Sequence, residues 1–159
     1  MSNRKMNGIK TQCFTMLSFV VFFTLYLNNQ QIIAENTMDN LKQYKIKIMI
    51  GDTTLAATLY DNPTTRDFIS LLPLDLKLED YAGTEKISYL PKKLSKEDAP
   101  SGSDPSVGDI TYYAPWGNLA IFYKDFGYAN GLIILGKIDN GIEELTKASS
   151  LNVRIELIK

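Results

Sequence analysis

The sequence predicts a mostly β fold: a closed or nearly closed antiparallel barrel whose ends are covered by two α-helices. Three observations predict it. Apolar and polar residues alternate at Ile46–Ile50, Leu55–Leu59 and Val153–Leu157, the period-two pattern of half-buried strands. Turn signals separate about seven such strand segments within roughly 115 residues, which is dense strand packing for a small domain. Two helix starts carry capping chemistry, one after the second strand and one before the last.

Taken in order, residues 45–50 place Ile46, Ile48 and Ile50 on one face. Gly51-Asp52-Thr53-Thr54 turns the chain, and residues 55–60 return it with Leu55, Ala57 and Leu59 inward, so the pair forms a hairpin. Asn62-Pro63 then starts a helix: the Asn side chain can cap free amides and proline suits the first helical position. Phe68, Ile69 and Leu72 share a face of that helix, which Pro73 ends. Residues 74–88 mix short apolar runs with Gly83 and resist assignment, save for a strand expected at 85–89.

Residues 91–109, rich in Pro, Ser and charge, read as a surface loop. Its acids, Glu97, Asp98, Asp104 and Asp109, do not have the spacing of a calcium loop. Strands are expected at 110–114 and 119–123 around the turn Pro115-Trp116-Gly117-Asn118, the second of them apolar on both faces as in a covered core strand, with Phe122 filling the barrel. Another strand spans 131–138. Asn140 and Glu143 stand at capping-box spacing and open the second helix, with Ile142, Leu145 and Ala148 inward. The alternation of Val153, Ile155 and Leu157 closes the domain.

The amino terminus has a different character. Residues 1–10 are polar and hold Arg4, Lys5 and Lys10; Cys13–Leu27 is a mostly apolar run; a polar stretch then ends at Ala34. That is the layout of a secretory signal, and the apolar run is shorter than the roughly 20 residues that span a bilayer. The expected organisation is a signal peptide at 1–34, a polar leader at 35–43 and one domain at 44–159. The mature protein is then periplasmic or extracellular and free of the membrane; an uncleaved N-terminal anchor is the alternative.

Composition removes several chemistries. The 159 residues contain no histidine, and the one cysteine, Cys13, lies within the signal segment. Ser-His-Asp and Cys-His sites, a histidine base and zinc sites of the usual ligand types are excluded. No catalytic residue, metal site or cofactor is expected. Beyond residue 34 the chain has 14 basic and 18 acidic residues, and its arginines are only Arg66 and Arg154, so nothing favours nucleic acid as a partner.

Three segments carry a family resemblance: Leu59-Tyr60-Asp61-Asn62-Pro63-Thr64-Thr65-Arg66-Asp67-Phe68, Gly108-Asp109-Ile110-Thr111-Tyr112-Tyr113-Ala114-Pro115-Trp116-Gly117-Asn118, and Leu132-Ile133-Ile134-Leu135-Gly136-Lys137-Ile138. With the order of elements they resemble a cyclophilin-like barrel over residues 44–159. The likeness is to bacterial cyclophilin-like proteins of uncharacterised function, often with signal sequences, more than to the prolyl isomerases. The isomerases place an arginine three residues before a proline on a core strand. Here the nearest counterpart, residues 85–91, puts Ser88 in that slot, and the family's pocket histidine has no equivalent. A short neutral hydroxyl forfeits most of the electrostatic help that an arginine gives a twisting amide.

The aromatic residues between 112 and 128 are the remaining candidates. Tyr112, Tyr113, Trp116, Phe126 and Tyr128, with Arg66 as a donor to a ligand carboxylate, are the expected ligand-binding set. The expected function is an exported, non-enzymatic cyclophilin-like domain that holds a peptide segment or a small ligand in an aromatic groove. The alternatives are a weak or divergent peptidyl-prolyl isomerase and a structural interaction module of the cell envelope.

Overall fold

The computed structural model describes residues 42–158. The signal segment and residues 35–41 of the leader lie outside the described residues. Ten strands appear in the order β1 (Gln43–Ile50), β2 (Thr53–Tyr60), β3 (Leu74–Tyr81), β4 (Glu85–Tyr89), β5 (Gly102–Ser103), β6 (Asp109–Tyr113), β7 (Asn118–Phe122), β8 (Ala129–Asn130), β9 (Leu132–Ile138) and β10 (Ser150–Leu157). Eight close into an antiparallel barrel with the order β1-β10-β3-β4-β7-β6-β9-β2, and β5 and β8 form a separate two-stranded sheet. Closure leaves the barrel no free edge. Strand β1 starts at Gln43, one residue before the position at which the sequence places its first ordered residue.

Period-two alternation sets the register. Ile46 and Ile48 sit opposite Ala57 and Leu55 on β2 and opposite Leu157 and Ile155 on β10. All but Leu157 are inside the barrel, with Leu59, Leu78, Ile110, Leu119, Ile121, Leu135 and Val153. The unassigned stretch after Pro73 is β3. Leu74, Leu76 and Leu78 alternate there with Asp75, Lys77 and Glu79, and this strand supplies the eighth stave, between β4 and β10.

Among the described residues the barrel has one α-helix, not two. Helix α1 (Pro63–Ile69) follows β2, and the Asn62 side-chain oxygen accepts a hydrogen bond from the Thr65 amide at 2.8 Å. Phe68, fully buried, plugs the barrel from this helix. Where the second helix was expected, residues Ile142–Thr146 form a single 3-10 helix. Its capping position is Gly141 in the left-handed region at φ 79°, not Asn140, and no side chain caps it. The chain must reverse between β9 and β10 in eleven residues, which leaves room for one tight turn with Leu145 pointing into the core. Among the described residues no helix is long and apolar enough to cross a membrane.

The central strand β7 is buried along its whole length, as its two apolar faces require. Leu119 and Ile121 belong to the barrel core. Ala120 and Phe122 belong to a second cluster with Leu132, against which Ile87, Tyr113 and Ala129 pack. Phe122 therefore lies on the outer wall and does not fill the barrel as expected. This outer layer builds the candidate site.

Candidate functional site

A cavity of about 220 Å³ opens on the outer wall of the barrel over β4 and β7. Its floor is one face of β7: Asn118, Ala120 and Phe122. Ala120 is the reason there is space, because its flanking neighbours on that face are larger. Tyr81, Tyr113 and Trp116 line it as one aromatic group, with Phe126, Ala129 and Leu132 completing the walls and Leu132 paired across the strands with Tyr113. Glu85 closes the set from β4, beside Thr84 and Ala82 of the β3–β4 turn.

Trp116 is held by the turn between β6 and β7. Gly117 has φ 78°, a conformation glycine adopts without strain, and its amide donates to the Tyr113 carbonyl at 2.9 Å. The indole then packs edge-to-face on Tyr113, with centroids 5.4 Å apart, and on Tyr81, at 5.6 Å. Trp116 remains 46% exposed, so the ring stands at the mouth of the cavity. Elsewhere in the lining, Phe126 leans on Phe122 with centroids 6.1 Å apart. The Phe126 amide donates to the Pro105 carbonyl, and Asp125 accepts from the Val107 amide, which ties this loop to the 91–109 segment.

Asn118 and Glu85 are among the polar residues that line the hollow. The Asn118 residue is 2% exposed, and its Oδ1 is the buried side-chain polar atom without a hydrogen-bond partner among the described residues. Its amide nitrogen donates only to the neighbouring Leu119 carbonyl, at 3.2 Å. Glu85 is half-buried, and burial pushes its carboxyl up to about 7. Among the described residues, no three side chains of His, Cys, Asp and Glu gather to hold a metal ion.

Of the residues expected in a ligand site, Tyr113, Trp116 and Phe126 line this cavity. Tyr112 does not: it is 1% exposed inside the barrel, where its hydroxyl accepts from the Leu94 amide at 3.1 Å. Adjacent strand residues face opposite ways, so Tyr112 and Tyr113 cannot share a wall. Tyr128 lies over Gly102 and its hydroxyl meets the Ser101 hydroxyl at 2.9 Å, outside the cavity. Arg66 is on α1, bound to Asp61 at 2.7 Å, which lowers the Asp61 pKa. Arg154 is on β10, bridging Asp75 and Glu156. Ser88 stands on β4 opposite Leu119, so it alternates to the other face of the strand from Glu85. Tyr81, Glu85 and Asn118 were not anticipated. The available signal was an amide beginning an otherwise apolar strand, and an acid in register with Ile87 and Tyr89.

The fold and cavity define the class: a small closed antiparallel barrel with an aromatic hollow on its outer wall. The sequence matches the cyclophilin-like family over residues 48–156, and the chain belongs to that family. The structure is also similar to the solution structure of a hypothetical protein from Archaeoglobus fulgidus, with a TM-score of 0.58 and 17% identity, covering 75% of this chain and 98% of that one. At that identity the likeness concerns the fold alone. No curated protein matches the sequence.

Proposed function

We propose that this chain is an exported binding protein that holds a small ligand, or one side chain of a peptide, in the cavity over Ala120, without catalysing prolyl isomerisation. The observation that carries the reading is an open aromatic hollow whose lining includes Asn118, a buried residue with an unpartnered side-chain oxygen. A buried polar atom left unpaired costs about 1–3 kcal/mol, a cost recovered by a ligand donor that the Asn118 side chain turns to meet. The volume, about 220 Å³, falls below the roughly 300–1,000 Å³ of sites for drug-sized molecules, so the occupant is small. The signal-like layout of residues 1–34 supports export.

The non-enzymatic part of the reading rests on the site's chemistry. Prolyl isomerisation of the cyclophilin kind draws on a cationic donor at the twisting amide. The residues lining this cavity include no lysine or arginine, and Arg66 and Arg154 hold their own acids on other elements.

Trp116 is the only tryptophan and reports on the cavity directly. Small aromatic ligands are expected to shift its emission, and Ala120→Leu, which fills the floor, is expected to abolish the shift. A prolyl-peptide isomerisation assay is expected to give the uncatalysed rate. Catalysis lost on Trp116→Ala would replace this reading with a divergent isomerase. Absence of any response to small ligands would leave the barrel surface as an assembly contact.

A further inference from the structure

We propose that the cavity selects a cationic amine, an ammonium group on an apolar stem, with its charge met by Glu85 and its stem set against the rings of Trp116 and Tyr81. The inference rests on the ligand-binding reading above and adds the chemistry of the ligand.

The first observation is an unpaired acid. Five described acids are withdrawn from full exposure: Asp67, Glu85, Asp109, Glu144 and Glu156. Four of them hold a cation: Lys92 on Asp67, Lys137 on Asp109, Lys147 on Glu144, and Lys47 and Arg154 on Glu156. Glu85 alone has no cation and no hydrogen-bond donor among the described residues, and it is the one acid that lines the cavity. Elsewhere this barrel pairs the carboxylates it desolvates, as the cost of burying a bare charge requires. A missing counter-charge beside an open hollow points to a counter-charge carried by the occupant.

The second observation is the character of the walls. Tyr81, Tyr113 and Trp116 line the cavity and meet edge-to-face at the indole, and Trp116 stays 46% exposed, so aromatic ring surface is open to an occupant. Ring faces attract cations, the indole most strongly. The third is Asn118, whose free side-chain group is an acceptor and not a donor. Carboxylate, ring faces and amide oxygen all favour the same occupant, one that brings N–H groups and positive charge. A carboxylate or phosphate ligand would meet Glu85 as a like charge.

An ammonium on an apolar stem reaches the cavity either as a free small amine or as a lysine side chain. Phenethylammonium, 2-phenylethanol and phenylacetate share one size and differ in charge. Their binding to the full chain is measured by Trp116 emission and calorimetry at about pH 8, where Glu85 is ionised. The amine is expected to bind about tenfold or more tightly than the alcohol, and phenylacetate no better than the alcohol. Nα-acetyl-lysine amide binding as tightly as phenethylammonium assigns the source to peptides; weaker binding assigns it to free amines. Glu85→Gln is expected to erase the preference for the amine while keeping the alcohol, whereas Glu79→Gln, on the exposed part of β3, keeps the preference. Equal binding of amine and alcohol, or an anion preference, overturns the cationic ligand and leaves the cavity reading in place. No binding of any of the three, with no change at Trp116, overturns both.

Discussion

The rings of Tyr81 and Trp116 meet edge-to-face at 5.6 Å and 88°, although one residue ends β3 and the other sits in the turn after β6. The contact reaches across the outer wall over β4 and β7 and joins two segments that share no strand pairing. Tyr113 meets the same indole at 5.4 Å, so Trp116 is gripped from two sides while half its surface stays wet.

This contact predicts a measurable coupling. Edge-to-face pairs add about 0.5–1.5 kcal/mol beyond the area they bury. A double-mutant cycle of Tyr81→Ala and Trp116→Ala, followed by circular dichroism in urea, is expected to return a coupling of about that size. A coupling near zero would mean that the two rings pack independently and that the cavity wall is loose.

Lys86 gives the second prediction. It is 1% exposed, and its ammonium donates to the Ala148 carbonyl at 2.6 Å, the Ser149 carbonyl at 3.2 Å and the Asp80 carboxylate at 3.1 Å. The Tyr123 hydroxyl also donates to Asp80, and these bonds hold its carboxyl below the usual range. The lysine thereby anchors the entry to β10 against β3 and β4. Lys86→Met keeps the stem and removes the charge, leaving two carbonyls and a carboxylate without their donor. Equilibrium denaturation is expected to show a loss of about 2–4 kcal/mol. An unchanged midpoint would show that water replaces the ammonium at no cost.

Gly136 gives the third. It faces Leu59 in the β2–β9 pairing, and a Cβ there would lie 2.2 Å from the Thr58 carbonyl oxygen and 2.6 Å from the Leu59 Cα. Both are backbone atoms, so no rotamer change relieves the clash. Gly136→Ala is expected to force the strands apart and cost about 1–3 kcal/mol or more, read as a lowered thermal midpoint. Gly127→Ala, with open space around it, is the control expected to melt near the parent.

Local chemistry made most of the barrel legible. Ile46, Ile48, Leu55, Ala57, Val153 and Ile155 alternate because each has one buried and one exposed side, and Asn62-Pro63 marks its helix by capping alone. What escaped depended on partners distant in sequence. The alternation of Leu74, Leu76 and Leu78 was present, but it is flanked by Pro73 and Gly83 and only pairing with β10 and β4 shows it to be a stave. The sequence reading puts Phe122 in the barrel and Tyr112 in the ligand set, and the structure exchanges them, because register, not residue type, decides the face. Lys86 gave no sign of burial, since a strand lysine is ordinarily solvated and its two carbonyl acceptors lie some sixty residues further on. Asn140 and Glu143 held capping-box spacing, yet Gly141 between them took the left-handed turn that forecloses a helix.

Glu85 gives the last prediction, and its sign is opposite to that of the paired acids. Burial against Tyr81 and Phe122, its cross-strand neighbours, raises its folded pKa to about 7 from 4.5. Below about pH 4.5 both folded and unfolded chains hold the proton and the group has no effect on stability. As pH rises toward 7 the unfolded chain releases the proton first, so ionisation favours unfolding and stability falls; above about 7 the penalty is constant. Discounted for partial exposure, it amounts to about 1–2 kcal/mol. Asp67 and Glu156 have lowered values from their hydrogen bonds to Lys92 and Lys47, so their contribution is lost only below about pH 4, outside this window. Thermal melts between about pH 5 and 8 are expected to decline for the parent and stay flat for Glu85→Gln, which should be the more stable of the two at the upper end. A parent whose midpoint rises across that range would show that the Glu85 carboxylate is already paired, and the case for an occupant that brings the cation would go with it.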